Sequence, residues 1–169
     1  MKITARDANP HDVGLLRGLY RSLETEMTAL HPAWPRRDGL AEPIDESLAK
    51  ALADLGTLIV VGEVEDVPVG FILAVIEQSL PQAEYEEVGV IRLIFTDHDA
   101  REIGVAEAMR DLVMDGLRGR GITKFDAHVL PGHRLAKNFF EAGGFSARSI
   151  IMYHDDHPAQ RSSRDPRRP

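Results

Sequence analysis

The chain has no cysteine among its 169 residues, which removes disulfides, thiolate metal ligands and a cysteine nucleophile together. That fits a reducing compartment, and no metal site is expected. Uninterrupted apolar sequence is also scarce. No run approaches the roughly 20 residues that cross a bilayer. The opening residues, MKITARDANP, lack the apolar stretch and small-residue cleavage site of a secretory signal. The expected location is cytoplasmic. Positive charge is in the minority: 20 Lys and Arg stand against 27 Asp and Glu, a formal net charge of -7. Self-repulsion opposes broad adhesion to nucleic acid or acidic membranes, so neither is expected as a partner. Any anionic ligand must be held locally.

With 43% hydrophobic and 28% charged residues, both signs interspersed, the composition is that of a globular protein. The length suits one domain with a substantial core, expected over residues 1–153. Residues 154–169, HDDHPAQRSSRDPRRP, are rich in arginine and proline and have no large apolar side chain. They read as a flexible basic tail.

Periodicity supplies the elements. KITAR alternates as a short strand, and Val13, Leu16, Leu19, Tyr20 and Leu23 recur at helical spacing after the start signal NPHD. LHPAWPRRDGL (30–40), with two prolines, reads as a loop, and helical spacing resumes over 42–55. TLIVVGEVE and VGFILAVIE form a hairpin, and EEVGVIRLIF (86–95) adds a third strand. A helix runs from Val105 to about Leu117. ITKFDAHVL then reads as a strand, RLAKNFFEAG as a short helix and FSARSIIMYH as a last strand. The mixed order indicates an α+β fold.

The stretch DAREIGVAEAM (99–109) places Arg101, Gly104 and Ala106 just after an apolar strand and at the mouth of a helix. A helix N-terminus carries unpaired N–H groups and a partial positive charge, which favour an anion. Small side chains at Gly104 and Ala106 let a diphosphate approach those amides. Arg101 is placed either to shield the second phosphate or to fix the loop.

TDHDAREIGVAEAM resembles the coenzyme-A pyrophosphate turn of the GNAT N-acetyltransferase superfamily, and PGHRLAKNFFEAGGF (131–145) is similar to that family's later Ala, Phe-Tyr-Glu and Gly-Phe stretch. The resemblance implies a mostly antiparallel mixed sheet of six to seven strands with helices on both faces, ordered β-α-α-β-β-β-α-β-α-β. It implies acetyl-CoA as cosubstrate and a primary amine of a small molecule or peptide as acceptor, and a homodimer is compatible with it. A catalytically weak coenzyme-A-binding regulatory module is the alternative.

Residue by residue, the resemblance places the main chain of Ile94, Phe95 and Thr96 against the pantetheine arm. The pyrophosphate falls to the amides of Arg101, Glu102, Ile103, Gly104, Val105 and Ala106. Glu102 departs from the small or basic residue usual there and must point away. Asn138 and Phe140 face the sulfur end, and His133 replaces the asparagine of the family's Pro-x-Asn. At Phe140 the family commonly has tyrosine, so the hydroxyl that would protonate a departing thiolate is missing. A main-chain N–H near Thr96 polarises the thioester carbonyl.

The general base is sought at Glu86, Glu87 or His128. Strand alternation puts Glu86, Val88, Val90 and Arg92 on one face. Arg92 interrupts an apolar strand, and as a buried arginine it needs a partner: Glu86, Glu87 or an anionic acceptor. His31 and Trp34, in the loop between the first two helices, are placed to line the acceptor pocket.

Overall fold

The computed structural model describes residues 1–157; residues 158–169, most of the expected tail, lie outside the described residues, and 154–157 form no helix or strand. The protein contains one sheet with strand order β1-β2-β3-β4-β5. The strands are β1 (Ile3–Asp7), β2 (Thr57–Val64), β3 (Val67–Gln78), β4 (Glu87–Thr96) and β5 (Phe125–Ala127). Pairing is antiparallel from β1 to β4 and parallel between β4 and β5. Among the described residues, no helix is long and apolar enough to cross a membrane.

The strands are apolar on both faces because helices cover both. Ile59, Val61, Phe71, Leu73, Leu93 and Phe95 pack with α1 (Val13–Leu30), α2 (Trp34–Arg37) and α3 (Ile44–Ala53). Val60, Ile72, Ala74 and Ile91 pack with α4 (Val105–Arg118) and α5 (Arg134–Ala142). The α+β expectation with two covered faces therefore holds.

Two local features set the packing. Glu65 and Asp66 both have positive φ, 49° and 63°, which is the twist a two-residue hairpin needs to turn β2 into β3. Gly62 lets α4 sit close on β2: a Cβ there would lie 2.6 Å from Val105 Cγ1 and 2.8 Å from Met109 Sδ.

The structure departs from the sequence reading in three places. Residues 34–37 form a one-turn helix inside the expected loop, because Trp34 buries against Tyr20 with ring centroids 6.4 Å apart. The Tyr20 hydroxyl then accepts from the Leu40 N–H at 2.8 Å. β5 covers only Phe125–Ala127 of the expected nine residues, since β4 leaves its edge there. Among the described residues the expected last strand is absent, and the sheet has five strands rather than six or seven. Arg148 reaches Asp126 of β5, but a three-residue edge offers too little ladder to hold FSARSIIMYH, whose Ile150, Ile151 and Met152 stay exposed.

An ion network fastens the chain's beginning to the sheet. Arg6 of β1 donates to both carboxylate oxygens of Asp12, at 2.8 and 2.9 Å, and through Nε to Glu63 of β2 at 2.7 Å. Asp12 also accepts from the Asn9 N–H at 2.8 Å, closing the turn before α1. The Arg6 guanidinium holds the buried Asp12 carboxyl below its ordinary pKa. Its stabilisation is therefore complete above the unfolded carboxylate value of about 3.9 and fades as pH falls through the lower folded value. We predict that Asp12→Asn costs about 1–3 kcal/mol at neutral pH. Urea melts should show the gap between variant and parent closing as the solution is acidified below about pH 4; a gap that stays constant would contradict the assignment.

Candidate active site

The central feature is the parting of two parallel strands. β4 pairs with β5 only from Gly89 to Ile91, opposite Phe125 to Ala127, flanked by bonds from the Gly89 N–H to the Lys124 carbonyl and from the His128 N–H to the Ile91 carbonyl, both 3.0 Å. Just beyond, the register with β3 slips: Ala74 lies opposite Ile91 and Leu73 opposite Leu93, leaving Arg92 as the extra residue. Such a bulge bends and twists its strand. From Arg92 to Thr96, β4 is bonded to β3 on one side and has no strand on the other. Ile94, Phe95 and Thr96 lie on this free stretch, whose main chain is arranged to take an extended ligand as an added strand.

The free edge leads to the loop before α4. After a short turn at 98–100, Glu102 adopts φ 62° and Gly104 φ 101°, and Gly104 caps α4. Left-handed backbone at a non-glycine residue costs roughly 1–2 kcal/mol, and the surroundings explain how it is held. Val105 is fully buried and Ile103 half-buried against the α4 side of the core, while Glu102 is exposed. The apolar side chains thus pin the loop from within and leave its main chain outside. Among the described residues, nothing accepts from the amides of Glu102 to Glu107; the first paired one is Ala108, bonded to the Gly104 carbonyl at 3.0 Å. A run of unpaired N–H groups at the positive end of a 14-residue helix is an anion cradle. Ala106 keeps it shallow.

Arg101 fixes this loop rather than facing outward. Its Nε donates to the Thr96 carbonyl at 2.9 Å, and Nη2 meets Glu26 Oε2 of α1 at 2.6 Å. Across the gap, His133 caps the start of α5 with Nε2 3.2 Å from the other Glu26 oxygen. Burial pushes the His133 pKa down, against the pull of Glu26. Asn138 is exposed on α5. Phe140, expected beside a cofactor, is 3% exposed and packed edgewise on Phe139 and Phe145 at 5.0 and 5.2 Å. It is part of the core on the α4 side of the sheet.

The remaining candidates separate. Glu86 pairs with Lys124 at 2.6 Å and Glu87 is exposed. Both sit at the paired end of β4, roughly 15–20 Å along the strand from the bulge. His128 sits where the strands part. Its pKa lies below the ordinary value, first through partial desolvation and then through the Arg92 charge, with Glu77, Asp126 and Asp38 pulling the other way. Arg92 is not buried as expected. The bulge turns it to an exposed position, where it pairs with Glu77 of β3 instead of Glu86 or Glu87. Trp34, expected in a pocket wall, is 6% exposed and part of the core. His31 accepts the Ala33 N–H at 3.2 Å and meets Tyr153 edge-on at 5.0 Å between centroids.

Sequence reasoning missed Glu26 and Glu77. Glu26 lies between the core residues Leu23 and Met27 on α1, a position that says it borders the core and nothing about its partners.

The profile described as "Acetyltransferase (GNAT) family" matches residues 16–145. No curated protein matches the sequence. Solved structures share the fold at low identity. A ribosomal-protein-alanine N-acetyltransferase from Brucella melitensis biovar Abortus 2308 is 17% identical, with TM-score 0.67 over 90% of this chain and 100% of that one. The aminoglycoside N-acetyltransferase AAC(6')-Iy in complex with CoA is 20% identical, with TM-score 0.71 over 92% of this chain and 96% of that one. A protein described as a predicted acetyltransferase, solved with acetyl-CoA and from Clostridium acetobutylicum, is 15% identical, with TM-score 0.66 over 91% of this chain and 96% of that one.

The electrostatics at the parting strands are open to test. Arg92→Gln removes a positive neighbour of His128 and frees Glu77, and both changes favour the imidazolium. NMR titration of the His128 ring should show its pKa higher than in the parent protein; an unchanged or lower value would refute the assignment.

Proposed function

The chain belongs to the GNAT family of acetyltransferases, and from that premise we propose that it moves an acetyl group from acetyl-CoA to a primary amine of a small molecule or protein by direct nucleophilic attack. One observation carries this reading: the unpaired edge of β4 runs into a row of unpaired amides at the start of α4. That sequence of surfaces suits an extended arm followed by a diphosphate. The main chain of Ile94, Phe95 and Thr96 would hold the arm, and the unpaired amides of Glu102 through Ala106 the pyrophosphate, with the Arg101 amide, bonded to the His98 carbonyl, at the edge of the row. His133 and Asn138 lie on the opposite lip. The positively charged cradle is made of peptide dipoles, which reconciles an anionic ligand with a chain of net charge -7.

When bound, acetyl-CoA supplies an activated thioester. The protein's part is to present a deprotonated amine to it, because an alkylamine with pKa about 10 is protonated at neutral pH. His128 is our choice of base over Glu86 and Glu87. It stands at the bulge, where partial desolvation and the Arg92 charge lower its pKa and so favour the neutral ring that can accept a proton. Phe140 offers no hydroxyl, so the thiol, with pKa near the cysteine value of about 8.5, departs unassisted. Acceptors of the kinds named for the neighbours, a ribosomal-protein alanine and aminoglycosides, head the list to try.

The test is thiol release from acetyl-CoA with a panel of aminoglycosides, polyamines, amino acids and alanine-terminated peptides. Acceptor-dependent release is expected. Coenzyme binding without release would instead identify a binding module, the reading that the missing hydroxyl at Phe140 favours. His128→Gln should lower kcat by about 100-fold or more with coenzyme affinity unchanged; an unaffected rate would remove His128 as base. Gly104→Val, strained at φ 101°, should weaken coenzyme binding by more than its effect on the melting temperature accounts for, and an unchanged Kd would displace the cradle.

A further inference from the structure

Between Ile91 and the far end of β4, the sheet no longer connects the strand to the chain beyond β5. A series of side-chain contacts does so instead. The Thr96 carbonyl accepts from Arg101 Nε, Arg101 Nη2 meets one oxygen of Glu26, and the other Glu26 oxygen lies 3.2 Å from His133 Nε2. Arg101 belongs to the loop on one lip of the gap and His133 to the helix cap on the other. Glu26 comes from a third element, α1, and is about a quarter exposed, 26%. Among the described residues, it is the acidic side chain that touches both lips.

The loop depends on this support. Two of its residues, Glu102 and Gly104, are left-handed, and its amides from Glu102 onward make no bond of their own. The Arg101 amide contributes only a long bond, 3.3 Å, to the His98 carbonyl. Arg101, moreover, is matched in charge by Glu26, so its guanidinium is not a spare phosphate ligand. What Glu26 controls is therefore where the amide row sits relative to the strand edge and to the second lip.

We infer that Glu26 is a positioning residue for the coenzyme: through Arg101 and His133 it fixes the separation of the two lips between which the coenzyme lies. The inference rests on the acetyltransferase reading above. It concerns a carboxylate with no direct part in the chemistry.

Calorimetric titration with coenzyme A needs no acceptor and tests this on the full-length protein. Glu26→Ala should weaken binding about tenfold, Arg101→Ala by a similar factor, and the double variant no more than the weaker-binding single one, the coupling expected of residues that act through one contact. Glu26→Gln keeps an acceptor for Arg101 and should recover most of the affinity, to within about threefold of the parent, since only the charge-assisted share is lost. A purely structural role would lower the melting temperature of all variants and leave these Kd ratios flat. Losses that multiply in the double variant, or tighter binding by Glu26→Ala as if a latch had been removed, would overturn the inference. Should the alanine variant fail to fold, Glu26→Gln and Arg101→Ala carry the comparison. Absence of binding by the parent protein would be a different result, striking at the acetyltransferase reading itself.

Discussion

The parting of β4 from β5 after three ladder residues is the constraint on which the rest of the site depends. A parallel pair normally continues until one strand ends. Here β4 continues for five residues beyond Ile91 while its partner turns away, and the extra residue Arg92 supplies the bend. Main-chain groups left unpaired inside a protein carry a desolvation cost unless something bonds them. An edge of this kind therefore makes structural sense as a place kept for a ligand that completes the sheet. The covered faces on either side, α1 to α3 on one and α4 with α5 on the other, make it a cleft rather than an ordinary sheet margin.

The second element is the way negative charge is received. Three arginines near the site are already engaged: Arg101 with Glu26, Arg92 with Glu77, Arg148 with Asp126. The attraction for an anion resides in oriented peptide N–H groups and in the helix behind them. This division suits an acidic protein, because a backbone cradle acts at contact distance and adds nothing to the long-range field. It also separates binding from side-chain identity along the loop. Glu102 can carry an acidic group there because its side chain is exposed to solvent and its amide is left without a partner.

How much of this was legible in the sequence depends on how local each signal is. The Arg-x-x-Gly-x-Ala spacing and its place between strand and helix carry their own meaning, since the left-handed Gly104 and the small Ala106 act through the residues themselves. The hairpin, the long helices and the two-faced core were legible for the same reason. The illegible features rest on pairing at a distance. Alternation gave Arg92 a face but could not reveal the slipped register that exposes it. β-branched residues suggested a last strand over 145–154, yet a strand needs an edge, and β5 offers only three residues of one. Trp34 looked like loop and proved to be core, because burial against Tyr20 outweighs two flanking prolines. Glu26 gives no sign at all: its importance lies in what it touches from 75 and 107 residues away along the chain, Arg101 and His133.

The segment between α1 and α3 has a further implication. Trp34 is sunk in the core, and Tyr20 ties down the Leu40 amide, so this wall is bolted at its middle and at its end. A surface fastened in that way is preorganised: a molecule settling on it does not have to quench loop entropy, and none of its contact energy is diverted to ordering the wall. Whatever rests there meets a standing shape, in the manner of a mould rather than a closing hand.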